Sequence, residues 1–326
     1  MRAPRFWDGK SAGAKVLAAL LSPLAALYGA GANLSRKRQK TFRPHAKVVC
    51  VGNLTLGGTG KTPIAIALAQ ELLRREAKVV FLSRGYRGRL AGPVVVDLTQ
   101  HCAADVGDEP LLLARAATTI ISRDRAAGAA LADKLGAEIV IMDDGHQNFS
   151  LRKDFSFVVV DAETGFGNGR LFPAGPLREP IGAGLDRADA VILVGKGNLQ
   201  PAKFEGPILA ARLAPTQEEA IEGERLIAFA GIGRPEKFFD TLSEMGGLIC
   251  SARSFPDHHA YSENDIRQLR ACAADLNARL VTTEKDFVRI APAQRENIQA
   301  VPIRALFEDA NALEKILTKL SGEAAT

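Results

Sequence analysis

Gly57-Gly58-Thr59-Gly60-Lys61-Thr62 stands between a β-branched apolar run, residues 46–54, and a stretch of helical periodicity, residues 63–75. A glycine-rich turn that follows a buried strand and opens a helix is the setting of a phosphate-binding loop. Glycines let successive backbone N–H groups point inward at a phosphate, and the helix N-terminus adds partial positive charge. Lys61 can reach the β- and γ-phosphates of ATP, and the Thr62 hydroxyl can ligate Mg2+. Pro63 costs little there, because the first turn of a helix has no intrahelical N–H partner to lose. The strict pattern asks for glycine at position 55, where this chain has Thr55, and the competing reading is a turn without ligand.

Outward from this loop the chain alternates strand and helix. Buried-strand patterns recur at residues 78–83, 118–122, 138–142, 155–161 and 190–194. Short apolar runs separated by helices predict a mostly parallel, doubly wound α/β sheet of the P-loop NTPase type. Residues 165–185, rich in Gly, Pro and Arg, read as a long functional loop. Residues 215–224 turn polar, and a second βαβ rhythm follows, with strands at 225–230, 248–255 and 279–283 and helices at 235–245 and 263–277. The expected division is therefore an N-terminal segment, 1–45, a P-loop domain, 46–220, and a smaller α/β domain, 221–326. At 326 residues, two domains with ordinary cores fit the length.

Composition excludes several classes. Hydrophobic residues at 47% and charged residues at 24% are globular usage. Cys50, Cys102, Cys250 and Cys272 are far apart and make no Cys-x-x-Cys pair, so a disulfide scaffold or zinc ribbon is not indicated. The net charge of +5 is unevenly placed. Ten Lys or Arg against Asp8 alone give residues 1–47 a charge of +9, which leaves −4 for the rest. A basic end on a mildly acidic body favours an anionic surface met by the N-terminus over a nucleic-acid groove.

Residues 16–35 carry no charge, and Leu17, Leu20, Leu21, Leu24, Leu27 and Tyr28 make a helical stripe with Ala and Ser on much of the opposite face. Pro23, Gly29 and Gly31 interrupt it. By length a spanning helix is a further reading; a helix packed on its own domain competes with one lying in a membrane interface, and the basic flanks favour the interface. A signal peptide would export a phosphate loop to where ATP is scarce.

Two acidic strings stand out. Residues 138–142 end in Asp143-Asp144-Gly145, the place of a metal-holding carboxylate at the carboxyl end of a strand. Gly107-Asp108-Glu109-Pro110 before apolar residues 111–117 reads locally as an ordinary helix start. Pro256-Asp257-His258-His259 lies between a strand and a helix, and two histidines without a third ligand are weak evidence for a metal.

Val51-Gly52-Asn53-Leu54-Thr55 ahead of the loop resembles tetraacyldisaccharide 4'-kinases, the lipid A 4'-kinases of Gram-negative bacteria. So do Ser83-Arg84-Gly85-Tyr86, Gly107-Asp108-Glu109-Pro110, Asp143-Asp144-Gly145, residues 173–180 and Ser254-Phe255-Pro256-Asp257-His258, in the family's order. The resemblance accounts for Thr55. It implies a peripheral kinase on the cytoplasmic face of the inner membrane. Such a kinase uses ATP and Mg2+ to phosphorylate the 4'-hydroxyl of a tetraacylated glucosamine disaccharide 1-phosphate, without nucleic acid or an obligate protein partner. It implies ATP on Gly57, Gly58, Thr59, Gly60, Lys61 and Thr62, and the metal near Thr62, Asp143, Asp144 and Glu179. It makes Asp108, oriented by His258, the general base, and places Asn53, Tyr86, Gln147 and Arg178 at the sugar-phosphate head or the pocket. The chain departs from the family at His146 and Asn148, to which no role is assigned. The rival readings are a P-loop ATPase acting on a protein partner and a basic-armed nucleic-acid module. A GTPase lacks its Asn-Lys-x-Asp, for which Thr283-Glu284-Lys285-Asp286 is no match.

Overall fold

The computed structural model describes residues 4–38, 40–197, 199–201, 204–216 and 221–321. Arg2, within the basic end, lies outside the described residues, as do the side chains of Arg5, Arg36, Lys37 and Arg38 and part of the expected boundary, 217–220.

The apolar N-terminal stretch is not one helix. It forms α1 (Ala12–Leu20) and α2 (Ser22–Arg38), bent by 52° at their junction. Pro23 has no N–H for the Ala19 carbonyl one turn back, which breaks the ladder at this point. Then come β1 (Lys47–Gly52), α3 (Lys61–Arg74), β2 (Val79–Ser83), β3 (Val94–Val95), α4 (Ala103–Val106) and α5 (Asp108–Ala114). They are followed by β4 (Thr119–Ile121), α6 (Arg125–Lys134), β5 (Ile139–Asp143), β6 (Phe155–Asp161), α7 (Ile181–Leu185), β7 (Ala190–Val194) and β8 (Ile208–Pro215). The second rhythm supplies β9 (Arg225–Ala230), α8 (Pro235–Glu244), β10 (Leu248–Ser254), α9 (Glu263–Asp275), β11 (Arg279–Thr283), α10 (Glu284–Phe287) and β12 (Ile298–Val301). The described chain ends with β13 (Ile303–Phe307) and α11 (Ala310–Ser321).

Nine strands form one sheet in the order β13-β8-β7-β6-β1-β5-β2-β4-β3. Every pairing is parallel except at the two edges, β13 on β8 and β3 on β4. Alternate residues of β1 serve opposite faces. Val49 and Val51 pack with Ile64 and Leu68 of α3 and Leu317 of α11, while Val48 packs with Ala129 and Ala132 of α6. Burial on both faces is what makes these strands read as continuous apolar runs. A second sheet, β10-β9-β11-β12, is parallel throughout.

For the smaller domain, expected at residues 221–326, we propose an earlier end. Ile303 of β13 lies opposite Pro215 of β8, and α11 packs on α3, so residues 303–321 belong with the larger sheet. The unit we propose as the smaller lobe is therefore 221–301, inserted between two adjacent strands. It meets the larger lobe through Arg234 and Lys237, which pair with Asp161 and Glu163 at the end of β6.

The stretch read as a long loop ends in α7 and is the seat of the N-terminal helices. Trp7 Nε1 donates to the Pro173 carbonyl at 3.2 Å, Arg170 donates to Ser22 Oγ at 2.6 Å, and the Tyr28 and Phe172 rings meet edge to face at 5.6 Å. Ala14, Ala18 and Ala25 are buried, so the small-residue face packs inward. Leu20, Leu24 and Leu27 face outward at 71%, 54% and 70% exposure. No single described helix is long and apolar enough to cross a membrane.

Candidate active site

β1 and β5 are neighbours with Val51 opposite Asp143, so the phosphate loop and the acidic turn leave adjacent strands at the same end of the sheet. That end, beside the central strand, is where open α/β sheets bind their ligands. Gly57 and Gly60 take φ of +117° and +84°, which side chains rarely adopt, and this curls the loop over the start of α3. Asn53, fully buried, braces the curl from inside by donating to the Thr55 carbonyl at 2.8 Å and Thr59 Oγ1 at 3.2 Å. Lys61 Nζ lies 3.7 Å from Asp144 Oδ1, and Thr62 Oγ1 donates to Asp143 Oδ2 at 3.1 Å.

The two carboxylates behave differently. Burial pushes Asp143 up to about 6, helped by the charge of Asp144 and opposed by Lys61. Burial works the same way on Asp144, but Lys61 and Arg178 outweigh it and bring Asp144 down to about 2. Burial also lowers Lys61. Arg178 donates to Asp144 at 2.8 Å and to Gln147 Oε1 at 3.3 Å, and Gln147 donates to the Asn53 carbonyl at 2.8 Å and to Glu179 at 2.9 Å. Arg187 pairs with Glu179 at 2.6 Å. Asn53, Lys61, Asp144, Gln147, Arg178 and Glu179 thus form one connected polar wall. Glu179 is held between Gln147 and Arg187. Among the described residues, the one trio of acidic or histidine groups whose ligating atoms all lie within 4.8 Å of one another is Asp108, Glu109 and His258.

Across the cleft, Asp108 opens α5 behind Gly107, whose φ is +90°. A Cβ on Gly107 would stand 2.5 Å from the Tyr86 carbonyl, so only glycine lets α5 start against the loop after β2. His258 follows β10 of the smaller lobe with φ of +58°, and its Nδ1 lies 2.9 Å from Asp108 Oδ2. Two groups 150 residues apart are in hydrogen-bond contact. Arg87 Nη1 donates to the His258 carbonyl at 3.2 Å, and the Tyr86 ring meets the His258 ring at 5.7 Å. Burial alone would raise Asp108, but a hydrogen bond with the Glu109 side chain, together with His258, Lys285 and Arg289, holds it well below the usual carboxylate range. Glu109, by contrast, is pushed by burial up to about 7 despite its pairing with Lys285.

Lys285, Asp286 and Arg289 are absent from the expected site. Their signal is akin to the one that marks Asp143: a mostly buried strand, β11, running into charged residues at its carboxyl end.

A family model described as LpxK: Tetraacyldisaccharide-1-P 4'-kinase matches residues 17–321. A tetraacyldisaccharide 4'-kinase of Rhodospirillum rubrum is 48% identical over 328 residues, covering 98% of this chain and 98% of the relative. One of Paramagnetospirillum magneticum is 49% identical over 308 residues, covering 93% and 94%. The fold matches a crystal structure of LpxK from Aquifex aeolicus in complex with ATP, with a TM-score of 0.76 and 28% identity over 93% of this chain and 99% of that one.

Proposed function

The chain belongs to the tetraacyldisaccharide-1-P 4'-kinase family, and on that premise we propose how its residues share the work. It is an ATP-dependent kinase for the 4'-hydroxyl of a tetraacylated disaccharide 1-phosphate, which sets aside an ATPase acting on a protein partner. The backbone of Gly57, Gly58, Thr59 and Gly60 cradles the phosphates, and Lys61 places its charge on the transferring group. Asp143 Oδ1 is buried without a hydrogen-bond partner, beside the Thr62 hydroxyl. Such an orphaned oxygen fits Mg2+, and Thr62 and Asp143 are the residues that would hold it, with Asp144 beside them. When bound, the ion neutralises charge on the β- and γ-phosphates. Glu179 is read as orienting Gln147 and Arg187.

Asp108 receives the proton of the 4'-hydroxyl while the hydroxyl oxygen bonds to the γ-phosphorus and the bond from that phosphorus to ADP breaks. Phosphoryl transfer asks chiefly for positioning and charge stabilisation, so an ionised carboxylate held in place suits the step better than a strong base. Arg178, Gln147 and Tyr86 border the cleft and are suited to the sugar-phosphate head. The observation that carries this reading is the contact between Asp108 and His258. We place the acyl chains in the cytoplasmic face of the inner membrane, alongside the outward leucines of α1 and α2. The test is incubation with labelled ATP, Mg2+ and tetraacyldisaccharide 1-phosphate in mixed micelles. One labelled product, phosphorylated at the 4' position and lost in Asp108→Asn, is expected; label on protein instead would refute the reading.

A further inference from the structure

Arg289 follows α10 in the smaller lobe, and its side chain, 5% exposed, uses all three nitrogens. Nε donates to Asp108 Oδ2 at 2.7 Å, and Nη2 donates to the same oxygen. Nη1 donates to the Gly231 carbonyl at 2.8 Å and to Asp286 Oδ1 at 2.9 Å. The Gly231 carbonyl also accepts the backbone N–H of His258 at 3.0 Å. One guanidinium therefore grips the carboxylate of the first lobe and the turn that carries its histidine partner in the second.

We propose that Arg289 is a positioning residue for the phosphoryl transfer, fixing the Asp108 carboxylate and the His258 turn in mutual register. The inference rests on the reading of Asp108 as the base and adds to it the group that sets its geometry. Two observations separate this from simple support of the lobe. Asp286, fully buried, also accepts from the Gly231 N–H at 2.9 Å, the Tyr261 hydroxyl at 2.9 Å and Thr283 Oγ1 at 2.6 Å, so its burial does not depend on Arg289. Lys285 Nζ already stands 3.9 Å from Asp108 Oδ2, so positive charge alone is supplied without Arg289. What arginine adds is a planar fork able to reach three acceptors at fixed angles, which a lysine cannot reproduce. Loading Oδ2 in this way leaves Oδ1 clear of the guanidinium, with the Glu109 N–H at 3.1 Å. Oδ1 is thus the oxygen suited to take the proton of the acceptor hydroxyl.

The test is a mutant cycle on the full chain with ATP, Mg2+ and the lipid acceptor, in which Arg289→Met and Arg289→Lys are each made in the wild type and in Asp108→Asn. Displacing a reacting group by about an ångström costs on the order of 10² in rate, so both Arg289 variants should lose about that much kcat while KM for ATP stays unchanged. Groups acting as a unit are non-additive, so neither substitution should slow Asp108→Asn further. An equal loss in both backgrounds, or a rise in KM for ATP that matches the fall in kcat/KM, would make Arg289 ordinary support and overturn the proposal. So would wild-type kcat in Arg289→Lys, or failure of both variants to fold by circular dichroism. If instead Asp108→Asn keeps the wild-type rate, the base assignment itself fails, a result the cycle separates from failure at Arg289.

Discussion

The Thr62 hydroxyl donates to Asp143 Oδ2 over 3.1 Å and joins two segments 81 residues apart at the carboxyl ends of adjacent strands. Lys61, one residue earlier, stands 3.7 Å from Asp144. The phosphate loop and the acidic turn are therefore built as one unit. Lys61→Ala removes a preorganised cation from the transferring group and should lower kcat by about 10²–10³. Its melting temperature should stay near that of the wild type, because Lys61 packs at the cleft and not in the core. Steady-state kinetics on the folded variant decides this, and near-normal transfer would sink the phosphate-loop assignment.

Asp108 and His258 should behave as a pair. Asp108→Ala and His258→Ala are each expected to be severe, and the double variant to be barely worse than the more damaging single one. Rates whose losses simply add in the logarithm would show that the two groups act independently.

Gly107 permits the approach of α5 to the loop carrying Tyr86. Gly107→Ala places a methyl group 2.5 Å from a backbone carbonyl at a φ of +90°. The expected outcome is a loss of about 1–3 kcal/mol in urea unfolding, together with a fall in kcat, because the helix that moves begins with Asp108. Loss of stability with unchanged kcat would mean that the start of α5 tolerates displacement.

His146 is fully buried, with Nε2 on the Gly184 carbonyl at 2.9 Å and Nδ1 without a partner. Burial, with Lys153 and Arg187 adding to it, lowers its pKa from 6.5 to about 4. Between those values the unfolded chain takes up a proton that the folded chain refuses, so stability falls as pH falls through this window. The deficit accumulated from pH 7 to pH 4 should be about 3 kcal/mol. His146→Leu should lack it, so denaturant curves of the two proteins should diverge in the variant's favour on acidification. Parallel pH profiles would refute a neutral buried histidine.

The N-terminal helices present Leu20, Leu24 and Leu27 outward while their alanine face packs inward. Changing all three to serine should weaken partition onto anionic vesicles by about 10³ or more, since each buried leucine contributes about 1.5–3 kcal/mol. Melting temperature should be unaffected, and turnover should fall only on bilayer-embedded acceptor. Vesicle flotation measures the binding, and unchanged flotation would remove the membrane assignment.

The sequence made the larger sheet legible where strands are buried on both faces. Residues 155–161 and 190–194 form strands with those limits because every side chain in them meets core. β8 and β13 escaped, being half-exposed strands at the sheet's edge with no clean alternation. The spacing of Leu313, Ile316, Leu317 and Leu320 marks a helix but does not say which sheet it joins. In the site, the phosphate loop and Asp143 are local patterns and can be read directly. The contact of Asp108 with Arg289 spans 181 residues and two lobes, and no local pattern encodes it. Asp108 and His258 were reachable only through resemblance to a family.

Because Ile303 stands opposite Pro215, the smaller lobe leaves and rejoins the larger one through neighbouring strands of one sheet edge. A body suspended from two points side by side can tilt about the line joining them but cannot swivel freely. Its motion relative to the phosphate loop is thereby reduced toward a single degree of freedom. A departure of His258 from Asp108 along such an arc would close by the same path, without a search over orientations.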